Sequence, residues 1–239
     1  MDAENRVALV TGASRGLGYE IARLLAARGI RLAIAARGAA ALHAAAEVLA
    51  RSAELVAIEA DVAEDAERVA ATALGRFGRV DILINNASEL GPSPMPPLET
   101  LDWRDFLRVL RVNVAAPLHL AQLLIPQMRR RGAGVIVNVS SDAGVNAYPG
   151  WGGYGASKAA LEHLSRTLAA ELAGSGIRVY VVDPGDMNTQ MHRDAEPGMD
   201  LSHLPGPEIS APAFVHLIEK QSAPFGRFEA RRVAAATTR

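Results

Sequence analysis

Tyr154 and Lys158 stand four residues apart, a spacing that on a helix places both on one face. An ammonium beside a phenol can hold it ionised. A free tyrosine titrates near ~10 and is a poor base at neutral pH, but a neighbouring cation favours its phenolate. The pair is conspicuous because, of 25 basic residues, only Lys158 and Lys220 are lysines. Such pairs are more often surface decoration than chemistry, so this one counts only in company. Its first companion is the stretch Thr11-Gly12-Ala13-Ser14-Arg15-Gly16-Leu17-Gly18, between an aliphatic run and a helical one. Gly12 permits a tight turn, Gly16 lets the backbone approach a pyrophosphate, and Gly18 lets the helix pack hard against the strand. The helix N-terminus then offers free N–H groups and a positive dipole end to phosphates.

Short aliphatic runs alternate with alanine-rich amphipathic segments along the chain. Strands are expected at Val7–Val10, Arg31–Ala35, Glu54–Glu59, Asp81–Ile84, Val135–Val139 and Val179–Val182. Helices are expected near 17–28, 39–51, 64–77, 102–131 and 154–173. This alternation predicts a doubly wound α/β fold with a parallel sheet, in one domain over 1–239. Two stretches break the rhythm: Leu90–Thr100, with four prolines, and Asp186–Pro212, also rich in Pro and Gly. Both leave strand ends where ligands of open α/β sheets bind, so both are expected as substrate walls, 186–212 as a lid.

Composition excludes other classes. A net charge of −1 removes the electrostatic case for nucleic acid or a membrane surface as partner. Without cysteine there is no disulfide, thiolate metal site or thiol nucleophile. His43, His119, His163 and His192 have no spacing that suggests a metal site. The N-terminus lacks a signal-peptide pattern, and no uninterrupted apolar stretch reaches the ~20 residues of a membrane span. A cytoplasmic globular protein is expected.

The turn resembles the Thr-Gly-x3-Gly-x-Gly turn of the short-chain dehydrogenase/reductase family, and motifs over roughly residues 5 to 230 follow in that family's order. Asp61-Val62 ends the third strand, where the family holds the adenine ring. Asn85-Asn86-Ala87-Ser88 ends the fourth, with Ser88 in place of the usual glycine. Ser140-Ser141 ends the fifth, Tyr154 and Lys158 open the next helix, and Pro184-Gly185 closes the sixth, with Met187 and Thr189 beyond. The resemblance implies a Rossmann-type three-layer sandwich of about seven strands, the last at Phe225–Ala230, with Arg231–Arg239 frayed. It implies Tyr154 as general acid or base, Lys158 lowering its pKa, and Ser141, thirteen residues earlier, binding the substrate oxygen. Asn113 would organise a proton relay. Taken singly, Ser140-Ser141 reads as a polar strand end and Asn113 as a solvated or capping residue. The serine at 88 is expected to strain a left-handed φ, if one is needed, and not to touch the chemistry.

The implied cofactor contacts are Gly12, Ser14, Arg15, Gly16, Leu17, Gly18, Arg37, Asp61, Val62, Asn86, Ala87, Tyr154, Lys158, Pro184, Gly185, Met187 and Thr189. The second strand ends without the carboxylate that favours NAD: Ala36 stands at its place, and Arg37 and Arg15 suit a 2′-phosphate. NADP(H) is therefore expected ahead of NAD(H). Leu90, Trp151, Met187 and Met191 flank the expected pocket and suit an apolar or ring-bearing carbonyl compound; Trp151 reads equally as packing between subunits. The function expected is an NADPH-dependent carbonyl reductase, as a homodimer or homotetramer. The alternatives are an alcohol dehydrogenase running oxidatively and a non-catalytic nucleotide sensor. A sugar epimerase is disfavoured, because 239 residues leave no room for a separate substrate domain.

Overall fold

The computed structural model describes residues 5–237. Seven strands form one parallel sheet: β1 (Val7–Thr11), β2 (Arg31–Ala36), β3 (Leu55–Glu59), β4 (Ile82–Asn85), β5 (Gly134–Val139), β6 (Ile177–Asp183) and β7 (Phe225–Glu229). Their order is β3-β2-β1-β4-β5-β6-β7, so the order in which strands are laid down switches sides between β1 and β4, all strands staying parallel, and opens a crevice there. The register brings the carboxyl ends level: Thr11 lies beside Ala35, Asn85 beside Asn138 and Val139 beside Val182.

The apolar runs read as strands because both faces are covered. In β1, Ala8 and Val10 enter one core while Val7 and Leu9 enter the other. The first core is closed by α1 (Gly16–Ala26), α2 (Ala39–Leu49), α8 (Ala211–Lys220) and α9 (Ala230–Thr237). The second is closed by α3 (Val62–Phe77), α5 (Ala116–Arg131) and α6 (Gly152–Glu171). The run Trp103–Arg131 has the length and hydropathy of a membrane span. Here it is a core element, with Val112, Ala116, Leu120, Leu124 and Met128 buried on the sheet.

Three expectations are corrected. The helix expected over 102–131 is interrupted: α4 (Trp103–Leu110) passes through a π turn, Arg111–Ala115, before α5. Pro117 supplies the reason. It has no N–H for the Asn113 carbonyl four residues back, and Ala116 reaches five back to the Arg111 carbonyl. The 186–212 stretch is not an irregular loop throughout. It contains α7 (Gln190–Ala195), capped by the Thr189 hydroxyl, and runs into α8, which accepts Pro212 in its first turn. The tail after Phe225–Glu229 is helical as α9 rather than frayed; residues 238–239 lie outside the described part.

Candidate active site

The turn between β1 and α1 is built to leave its amides free. Gly16 has φ +59°, a left-handed conformation that glycine adopts without strain, and no atom but a Thr189 methyl at 3.9 Å faces its missing side chain. Arg15, the N-cap, provides no side-chain cap, and the first turn of α1 has no acid. The orphan N–H groups and the helix dipole are thus left for an anion. Gly18 works differently: a Cβ there would meet the Gly12 oxygen at 2.5 Å and Asn86 Nδ2 at 2.4 Å. Its role is close packing of α1 against the turn and Asn86, behind the cavity wall.

Thr11 and Asn86 staple the two strands that flank the crevice. The Thr11 hydroxyl accepts the Asn86 and Ala87 N–H groups, each at 3.0 Å. Asn86 Nδ2 returns two bonds, to the Thr11 carbonyl at 3.0 Å and the Gly12 carbonyl at 3.1 Å. Gly12, Ser14–Leu17, Arg37, Asp61-Val62, Asn86-Ala87, Pro184-Gly185, Met187 and Thr189 all line one cavity of about 1400 Å³. The same cavity is lined by Ser141, Tyr154 and Lys158, so the structure brings the nucleotide turn and the reactive side chains together. Leu90, Trp151 and Met191 line it too, and Trp151 packs edge-on against Tyr154 at 5.8 Å between ring centroids, which supports its wall reading. Of the expected residues, Gly18 and Asn113 stand behind the wall.

At the chemical centre, Lys158 Nζ donates to the Val139 carbonyl at 2.9 Å and lies 5.3 Å from the Tyr154 ring centroid. Burial pushes Lys158 down to about 8, opposed by the Glu162 carboxylate. Burial likewise pushes the Tyr154 phenol far above its ordinary value; the hydroxyls of Ser88 and Ser141 face it and pull the other way, and Asp183 and Asp142 add to the rise. This corrects the expectation that Lys158 lowers the tyrosine. Desolvation of the phenol outweighs every partner it has here, and the ammonium lies over the ring. Ser141 Oγ donates to Asp142 Oδ1 at 3.1 Å and accepts the Ala143 N–H at 3.2 Å.

Several contributors escape a reading of spacing alone. Glu162, one turn beyond Lys158, is buried with Ser140 Oγ at 2.6 Å and Arg227 Nε at 3.0 Å, and Arg227 lies 3.7 Å from Asp183. The helical spacing Tyr154–Lys158–Glu162 was the available signal; Arg227, on β7, had none. Ser88 is also corrected. No non-glycine residue has positive φ among those described, so the serine is unstrained, and it faces Tyr154. At the adenosine end, Ala36 presents no carboxylate, as expected. Arg37 is not idle, however: it pairs with Glu89 at 3.2 Å and Asp61 at 3.9 Å, and Arg108 joins both acids at 3.8 and 3.6 Å. Arg15 is exposed and makes no ion pair among the described residues.

A family model described as short chain dehydrogenase matches residues 6–200. The chain belongs to that family. It is 39% identical over 198 residues to 2-(R)-hydroxypropyl-CoM dehydrogenase of Xanthobacter autotrophicus, covering 78% of this chain and 76% of that one. A solved short chain dehydrogenase from Shigella flexneri, complexed with NADP, superposes with a TM-score of 0.85 at 28% identity, covering 96% of this chain and 99% of the other. A 7α-hydroxysteroid dehydrogenase complexed with NADH and 7-oxo glycochenodeoxycholic acid gives 0.83 at 28% identity, over 95% and 94% of the chains. The short-chain dehydrogenase family thus accounts for the fold and for an oxidoreductase acting between alcohol and carbonyl.

Proposed function

We propose that the protein uses NADPH to reduce the carbonyl of a ketone or aldehyde to an alcohol. The observation that carries this reading is the single cavity that brings the nucleotide turn together with Ser141, Tyr154 and Lys158, where the phenol, protonated at neutral pH, can give its proton to an oxygen gaining negative charge. The reducing direction follows from the preference for NADPH argued from Ala36, Arg15 and Arg37. The residues present fit a dinucleotide, since the uncapped amides at Ser14–Leu17 suit its pyrophosphate, with Asp61-Val62 at the adenine and Pro184, Gly185, Met187 and Thr189 at the far end. When bound, that cofactor supplies the hydride. Arg15 and Arg37 would grip a 2′-phosphate. The ion pairs of Arg37 are half-exposed and worth little, so a phosphate dianion can draw it away.

Within the pocket, Ser141 turns its hydroxyl from Asp142 to the substrate oxygen and holds the charge that develops there. Tyr154 gives that oxygen its proton. Lys158, fixed on the Val139 carbonyl, keeps a cation beside the phenol, and Asn113 anchors the loop after β4 from the π turn. Leu90, Tyr148, Trp151 and Met191 favour an apolar or ring-bearing substrate. The reading extends to a cytoplasmic homodimer or homotetramer; Trp103 and Leu107, exposed on α4, are apolar surface suited to a second copy.

A fluorescence titration should show tighter binding of NADPH than of NADH. Tyr154→Phe should bind NADPH normally and lose turnover of a ketone panel by about 10²–10⁴-fold. Preference for NADH would turn the reading towards alcohol oxidation, normal turnover in Tyr154→Phe would remove it, and activity confined to open-chain polyols would refute the substrate class.

A further inference from the structure

At the adenosine end of the cavity, two acids and two arginines close into a ring. Arg37, at the end of β2, lies 3.2 Å from Glu89 and 3.9 Å from Asp61. Arg108, on α4, meets the same two carboxylate oxygens, Glu89 Oε2 at 3.8 Å and Asp61 Oδ2 at 3.6 Å. The acids are the fixed half of the ring. Asn113 takes the Glu89 N–H on Oδ1 and donates from Nδ2 to the Glu89 carbonyl, both at 2.8 Å. Asp61 caps α3 by accepting the Ala63 N–H at 3.0 Å. The arginines are the mobile half: the side chains of Arg37 and Arg108 are 54% and 52% exposed, against 20% for Glu89 and 26% for Asp61. Arg37 lines the cavity with both acids, whereas Arg108 stands outside its wall.

We infer that Glu89 and Arg108 together set the preference between the two nucleotides, Glu89 by holding Arg37 back from a 2′-phosphate and Arg108 by taking over both acids once Arg37 leaves. This rests on Arg37 being a reader of that phosphate. Exposed ion pairs are weak, so a dianion overcomes the hold of Glu89. What remains is a handicap on NADPH that NADH, without the phosphate, does not meet. Once Arg37 has turned away, an acid with no other partner would oppose the dianion at full charge. Arg108 already lies within ion-pair distance of both acids, so each keeps a counter-ion without any backbone movement. Neither role requires Arg108 to reach the nucleotide itself.

The test is a fluorescence titration with NADPH and with NADH at low ionic strength, where exposed charges act most strongly. Glu89→Gln should tighten NADPH about threefold and Arg108→Gln should weaken it about threefold, while NADH moves little in either. Steady NADH binding also shows that each variant is folded. In the Glu89→Gln background, Arg108→Gln should cost clearly less than it does alone, because one of the two acids it serves is gone. A cost equal in both backgrounds would mean that Arg108 attracts the phosphate directly, which overturns the takeover. Unchanged or weaker NADPH binding in Glu89→Gln overturns the restraint, and so do equal shifts for both nucleotides. Arg37→Ala separates these failures from failure of the underlying reading. If it leaves NADPH affinity unchanged, Arg37 does not read the phosphate and the inference falls with it. If it weakens NADPH while Glu89→Gln changes nothing, the reading stands and the restraint alone is refuted.

Discussion

Held on the Val139 carbonyl with its ammonium buried, Lys158 titrates at about 8 instead of 10.5. Below pH 8 it is protonated in both folded and unfolded chains, and the folded one carries a desolvation penalty of roughly 3 kcal/mol. Between pH 8 and 10.5 only the unfolded chain keeps the proton, so stability rises with pH across that window. Above it the penalty is gone. Lys158→Met should therefore be more stable than wild type by about 2 kcal/mol at pH 7, after allowing for the lost bond to Val139, while being inactive. Urea denaturation at pH 7 and pH 10 would show the gain shrinking with pH; a gain unchanged between them would mean that the ammonium is not desolvated. Tyr154, Lys158 and Ser141 were legible because helical spacing and a strand end are local facts. The balance around them was not, since Ser88 and Asp183 reach Tyr154 only through the arrangement of the sheet.

Among elements, the strands and longer helices were legible because nearly every strand residue is apolar and the helices are amphipathic. α8 was hidden by Pro205, Pro207 and Pro212, which read as loop although a first helical turn tolerates proline. That helix matters to the site through its N-cap, Ser210, whose fully buried hydroxyl donates to the Pro184 carbonyl at 2.7 Å. Ser210→Ala leaves that carbonyl unpaired and should cost about 1–3 kcal/mol. Cofactor affinity should fall with it, because Pro184-Gly185 loses its tether. Thermal melts with and without NADPH would separate the two effects, and an unchanged melting temperature would refute the tether. The π turn at Asn113 had one local signal, Pro117, whose meaning depends on counting back to the carbonyl it cannot serve.

At the scale of the molecule, the strand order gathers residues from six strand ends around one cavity, and charge collects at its adenosine end. Arg37 and Arg108 share Asp61 and Glu89 there in exposed pairs, within reach of salt. Raising ionic strength from about 0.05 to 0.5 M should weaken NADPH binding several-fold and NADH binding far less, because only the former presses a 2′-phosphate dianion on Arg15 and Arg37. Equal losses for both nucleotides would mean that Arg15 and Arg37 do not read the 2′-phosphate. Sequence reading placed Arg37 correctly at the end of β2; it could not see Glu89 opposite, fifty-two residues away.

The clamp of Arg227 on Glu162 also sets an order of events during synthesis. The carboxylate leaves the ribosome sixty-five residues before its counter-ion. Until β7 docks at the sheet edge, Glu162, one turn from Lys158, lacks its guanidinium and must stay hydrated. The strand that finishes the sheet is thus also the one that brings the counter-ion of Glu162. A chain built this way brings the counter-ion of Glu162 into place only after every other strand of the sheet has emerged.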